Sequence, residues 1–139
     1  MGRVFFNTRK NMVDVAAAKT LIASDSGSVF NINQASAYEI TLPLMSTIEK
    51  GWNATFVIGT VAANAVTIAN NTAEDTIVGI VSYSDTDTSN AAAATAETAV
   101  DEIVFVSGAK LGDTVRIVAN GANYFATAQA HDAAHITIS

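Results

Sequence analysis

Between Thr114 and Ala126 the chain spells two short strands, Thr114-Val115-Arg116-Ile117-Val118-Ala119 and Tyr124-Phe125-Ala126, around Asn120-Gly121-Ala122-Asn123. An Asn-Gly step flanked by alternating apolar residues is a hairpin signal, because both residues tolerate the positive φ of a tight reversal. A chain folded back in this way over its last third is not a helical bundle. The same grammar recurs upstream. Ser24-Asp25-Ser26-Gly27 is a turn, since Asp and Ser bond their own backbone and Gly takes φ > 0. It leads into Ser28 to Asn33, where apolar and polar residues alternate with the two-residue period of a half-buried strand. Tyr38 to Leu42 alternates likewise and stops at Pro43, the only proline, which cannot donate to a sheet ladder.

Further strands are expected over Asn53 to Ile58, Ala65 to Ala69, Thr76 to Val81, Ala99 to Val106, Thr114 to Ala119, Tyr124 to Ala130 and Ile136 to Ile138. Turns spaced roughly every 8 to 12 residues are the rhythm of an all-β sandwich or barrel. Three stretches break it. Asp14 to Ala18 is too short to assign to helix or strand. Leu44 to Lys50 carries helical spacing at Leu44, Met45 and Ile48, but Gly51 limits it to a turn or two. Ser82 to Thr98 combines Asp85-Thr86-Asp87-Thr88-Ser89-Asn90 with an alanine run and lacks an apolar stripe, so it is expected as a long exposed loop.

With 139 residues the chain has the size of one domain. Half of it is hydrophobic, yet no apolar run approaches the roughly 18 to 20 residues of a membrane span. The N-terminus does not read as a signal peptide, because Asp14 interrupts the apolar stretch that follows Arg3, Arg9 and Lys10. A protein made in the cytoplasm and not held in a membrane is expected. Cysteine is absent, so stability is expected from packing, backbone hydrogen bonds or association. Charged residues are 14% of the chain, against about 25% in an average domain. A surface covered by Ser, Thr, Asn, Ala and Gly suits burial against other subunits, and a homo-oligomer is expected.

The charge is unevenly placed. Arg3, Arg9, Lys10 and Lys19 are opposed only by Asp14 in residues 1–20, so this segment carries +3 and the remainder −9. A basic arm over 1–20 on an acidic domain over 21–139 reads as a docking tail, with Phe5 and Phe6 as its apolar contacts. Arg3, Phe5, Phe6, Arg9, Lys10 and Lys19 are the candidate partner-binding residues.

No catalytic constellation is evident. His131 and His135 have the spacing of two helical metal ligands, but Asp132 stands where a metalloprotease carries Glu, and the chain runs directly into Ile136-Thr137-Ile138. Two surface histidines in a loop are expected, with no metal and no other cofactor. Asp85 and Asp87 lack the glycine and the terminal glutamate of a calcium loop. The adjacent acids Glu74-Asp75 and Asp101-Glu102 point to opposite faces of their strands and do not converge. Of the ten aromatic residues, the phenylalanines (Phe5, Phe6, Phe30, Phe56, Phe105, Phe125) read as core or interface. Trp52, Tyr38, Tyr83 and Tyr124 are left as candidates for stacking on a sugar or base. A net charge of −6 opposes general nucleic-acid binding, which depends on neutralising phosphates.

Several segments taken together are similar to the small head-decoration, or cement, proteins of tailed bacteriophages. They are Leu21 to Gly27, the Ile40-Thr41-Leu42-Pro43 strand end, Phe56-Val57-Ile58-Gly59-Thr60, Ile103-Val104-Phe105-Val106, Gly112-Asp113-Thr114-Val115 and Asn120-Gly121-Ala122-Asn123-Tyr124. The resemblance covers about residues 20–139 and consists of turn and strand motifs without a catalytic signature. It implies an all-β, antiparallel β-sandwich, jelly-roll-like, that forms dimers or trimers on the outer capsid surface of a virion and clamps neighbouring subunits of the major capsid protein. It transfers no active-site residue, and no enzyme is expected. The basic arm and the segment from Asp85 to Thr98 depart from that pattern. A tail or tail-fibre structural module and a host- or carbohydrate-binding β domain are the alternatives.

Overall fold

A computed structural model of the chain describes residues 11–71, 76–83, 93–132 and 134–139. Its strands are β1 (Met12–Val15), β2 (Lys19–Thr20), β3 (Ser28–Asn33), β4 (Tyr38–Thr41), β5 (Asn53–Thr60), β6 (Val66–Ala69), β7 (Ile77–Tyr83), β8 (Ala93–Val100), β9 (Glu102–Phe105), β10 (Thr114–Ala119), β11 (Tyr124–Ala130) and β12 (Ile136–Ile138). They form two sheets, one seven-stranded in the order β1-β3-β5-β10-β11-β7-β8 and one five-stranded in the order β12-β9-β6-β4-β2. The sheets pack face to face over one core, so the fold is an all-β sandwich.

The winding departs from the antiparallel sheets expected. Both sheets are mixed: β1/β3, β3/β5, β7/β11, β2/β4 and β4/β6 pair in parallel, and the other five pairings are antiparallel. The reason lies in the connections. From β1 to β6 the chain gives successive strands alternately to the two sheets, so each strand returns to its own sheet running in its earlier direction. Alternation fixes which face of a strand is buried, and it does not fix whether the next turn is a hairpin or an arch between layers. The hairpin read from Asn120-Gly121 does form. Ala119 pairs with Tyr124, and the Asn120 side chain accepts from the amides of Ala122 (2.8 Å) and Asn123 (2.7 Å).

Three further segments differ from expectation. The helical spacing over Leu44 to Lys50 is reduced to one 3-10 turn, Met45–Thr47. Part of the loop expected over Ser82 to Thr98 is strand, because β8 lies antiparallel along β7, and tertiary pairing outweighs the weak preference of its alanines. Residues 84–92, including Asp85 and Asp87, lie outside the described residues. The single strand expected over Ala99 to Val106 is two, because the chain crosses from one sheet to the other at Asp101. There the Asp101 and Glu102 amides both donate to the Ser139 carbonyl at 3.0 Å.

The core follows from the alternation. Phe30, Ile32, Phe56, Ile58, Val115, Ile117 and Tyr124 point in from the larger sheet and are buried, and they meet Ile40, Val66, Ile68, Ile103 and Phe105 from the smaller. Each such side chain contributes about 1.5–3 kcal/mol. Phe30 and Phe56 are register partners with rings stacked 5.2 Å apart. At Gly79 of β7 an added Cβ would lie 2.6 Å from the Ile138 side chain of β12, so glycine is what lets the two sheets close there.

Candidate docking surfaces

Arg3, Phe5, Phe6, Arg9 and Lys10 lie outside the described residues. The other half of the basic segment is built into the sandwich. β1 is the edge of the seven-stranded sheet and β2 the edge of the five-stranded one. Asn31 donates to Asp14 at 2.7 Å, the Tyr38 hydroxyl donates to the Val15 carbonyl at 2.6 Å, and the Ser36 hydroxyl donates to the Ala16 carbonyl at 3.3 Å. Lys19 is half-buried, and its ammonium lies 4.0 Å from Asp25, so its own chain supplies a counter-charge. Beside it, Thr20, Leu21, Ile22, Pro43, Leu44 and Thr47 line an open groove of about 390 Å³. Ile22, 59% exposed, stands at its rim.

The second surface is the outer face of the seven-stranded sheet. Strand register lines up Asn53, Val118, Phe125 and Val78 in one outward row and Met12, Val29, Thr55, Arg116, Thr127 and Ile80 in the next. A third row holds Asp14, Asn31, Val57, Thr114, Gln129 and Ser82. Phe125 is 46% exposed and Ile80 49%, with Val78 and Val118 half-buried between and beside them. Among the described side chains, Arg116 and Asp14 are the charges of this face. The outer face of the five-stranded sheet is different: Thr137, Val104, Thr67 and Glu39 form one row, and Glu102, Ala69, Thr41 and Thr20 the next. Its described charges are the two acids.

The polar cluster of the interior centres on Asp113, which sits just before β10 with no side-chain exposure. Of the two surface histidines expected, His131 is exposed, whereas His135 is mostly buried beside this carboxylate. One carboxylate oxygen accepts from the His131 amide (2.9 Å) and lies 2.6 Å from His131 Nδ1. The other accepts from the Lys110 amide at 2.8 Å and lies 3.1 Å from His135 Nδ1, within ion-pair reach but off the line of a hydrogen bond. The His131 side chain is 55% exposed, whereas that of His135 is only 13% exposed. Burial pushes the Asp113 carboxyl up, but the His131 side chain, the Lys110 and His131 amides and the charge of His135 together hold it below the usual carboxylate range. A carboxylate engaged by this many donors braces the β11–β12 connection against the start of β10. It is poorly suited to act as a base. Sequence reading missed the cluster because its members are 18 and 22 positions apart; the one local signal was an Asp placed after Gly112 at a strand start.

Among the described residues no group of three or more His, Asp or Glu side chains is arranged to hold a metal ion. Glu74 and Asp75 lie outside them. Trp52 and Tyr124 are buried, with rings edge to face at 6.1 Å. The Trp52 indole donates to the Ile22 carbonyl and the Tyr124 hydroxyl to the Pro43 carbonyl. Tyr38 spends its hydroxyl on backbone carbonyls. These three rings hold the sandwich together and are not presented to a ligand. No family model matches the chain, and no curated protein or solved structure is significantly similar to it.

Proposed function

We propose that this chain is a structural virion protein that binds the outside of a phage capsid and stabilises contacts between major capsid subunits. The observation that carries the reading is the outer face of the seven-stranded sheet, broad, with few charges among its described side chains and with Phe125 and Ile80 standing out of it. Exposed apolar patches of this kind mark surfaces that are covered in an assembly, by a second copy of the chain or by another subunit. The segments similar to phage decoration proteins support the same reading, as does the basic stretch ahead of β1 on an otherwise acidic chain. In this proposal the chain works by covering surfaces of neighbouring subunits, with no reaction of its own, and Arg3, Phe5, Phe6, Arg9, Lys10 and Lys19 form the capsid-facing contact.

The test is fractionation of virions that carry the protein. Recovery with tail-free mature capsids, at a copy number comparable with the shell subunit, is the expected result. Recovery with tails alone would assign the chain to a tail or fibre module instead.

A further inference from the structure

We infer that the outer face of the seven-stranded sheet is where two copies of this chain meet, sheet against sheet, about a twofold axis running along β11. The inference does not rest on the capsid reading; it rests on area, charge and register. With the axis on β11 the five strands from β5 to β8 overlap; about 4.8 Å apart and about six residues long, they present roughly 480 Å² on each copy, about 1,000 Å² in all, the lower bound of a specific interface. The chain carries −6 overall, so two copies repel each other unless they approach through a neutral surface. Within the overlap the described charge of this face is Arg116, opposite in sign to the chain as a whole, and Asp14 on β1 lies beyond it. On the opposite outer face, Glu39 and Glu102 would set acid against acid.

Register supplies the fit. An axis along β11 lays β10 of one copy over β7 of the other, so Val118 covers Val78 and the aliphatic stem of Arg116 covers Ile80. The two Arg116 side chains then stand two strand widths, about 10 Å, apart across the axis. Phe125 meets its own copy at the centre, where aromatic anchors contribute most.

Sedimentation at micromolar concentration tests the inference, with thermal melts run beside it. The wild type is expected at twice 14.4 kDa. Phe125→Lys or Ile80→Lys, each on an outward position, is expected to weaken dimerisation roughly 30-fold or more with an unchanged fold. Thr137→Lys, on the other outer face, is expected to remain dimeric. Because the chain has no cysteine, a Phe125→Cys variant gives an independent readout. A bifunctional maleimide matched to the ~10 Å spacing of stacked sheets should join two copies through it, whereas Thr137→Cys should stay uncrosslinked. A wild type that stays monomeric at high micromolar concentration overturns the inference. So does an oligomer that survives Phe125→Lys and is not captured through Phe125→Cys. A monomer whose Phe125→Lys variant loses only capsid binding also overturns it, and gives the face to the capsid; retained dimerisation with no capsid binding leaves this inference standing and sinks the proposed function.

Discussion

At Asp113 several donors converge on one carboxylate that has no exposed surface. Replacing it with alanine leaves the Lys110 and His131 amides and the His131 ring without their acceptor. Asp113→Ala is therefore expected to lower unfolding free energy by about 2–4 kcal/mol in urea titrations. Asp132→Ala, which removes an exposed turn contact to the Ala134 amide, should change it by about 0.5 kcal/mol or less. The pH dependence follows from the same contacts. A carboxyl held below its unfolded value contributes stability that is fully present above about pH 3.9 and is lost as pH falls through the folded pKa. Wild-type stability should consequently decline on acidification below pH 4, and an Asp113→Asn variant, less stable at neutral pH, should show a flatter curve in that range. Melts recorded with and without EDTA are expected to superimpose, since the histidine Nδ1 atoms are already turned towards Asp113.

Among the elements, the edge strand β1 is held by its backbone ladder to β3 and, beside it, by single side chains. Asn31 reaches across the sheet to Asp14, and it lies over the backbone at Gly59, where an added Cβ would fall within 1.7 Å of its amide oxygen. Gly59→Ala should displace Asn31 and cost about 1–3 kcal/mol. In an Asn31→Ala background the same change should cost much less, and hydrogen exchange should show both single variants losing protection first at the Val29 amide, which bonds to Asn11. Strands that bury one face against the core were legible as alternation: Ser28 to Asn33, Thr114 to Ala119 and Tyr124 to Ala130 form as read, and the strand read over Tyr38 to Leu42 forms over Tyr38–Thr41. The edges β1 and β8 were not, because a neighbour's backbone makes them strands and their own side chains say little about it. Strand direction was also beyond the pattern, since Phe30 points inward whether β5 lies parallel or antiparallel beside it. The docking residues were legible only as charge; that Lys19 faces Asp25 depends on the turn that places Asp25.

For the molecule as a whole, residues 12–15 and 19–20 belong to the sandwich as the edge strands β1 and β2. Removing 1–10 keeps both edge strands, whereas removing 1–19 takes away β1 and half of β2. The shorter deletion is expected to leave the melting temperature within a few degrees of wild type, and in the proposed role to reduce retention on capsids. Screening over about 10 Å at 0.1 M salt should weaken the contribution of Arg3, Arg9 and Lys10, and Phe5→Ala with Phe6→Ala should weaken retention at high and low salt alike; pelleting of capsids across a salt series measures both. The alternate assignment of β1 to β6 to the two layers has a kinetic consequence. Neither layer can be finished by zipping up neighbours along the chain: β5 waits for β10, β7 waits for β11, and Tyr124 reaches back 81 positions to the Pro43 carbonyl. Loops this long must close before their contacts repay the entropy, so refolding belongs to the slow, milliseconds-to-seconds range of high contact order, and a nascent chain interrupted before residue 114 would hold two half-built layers with open edges.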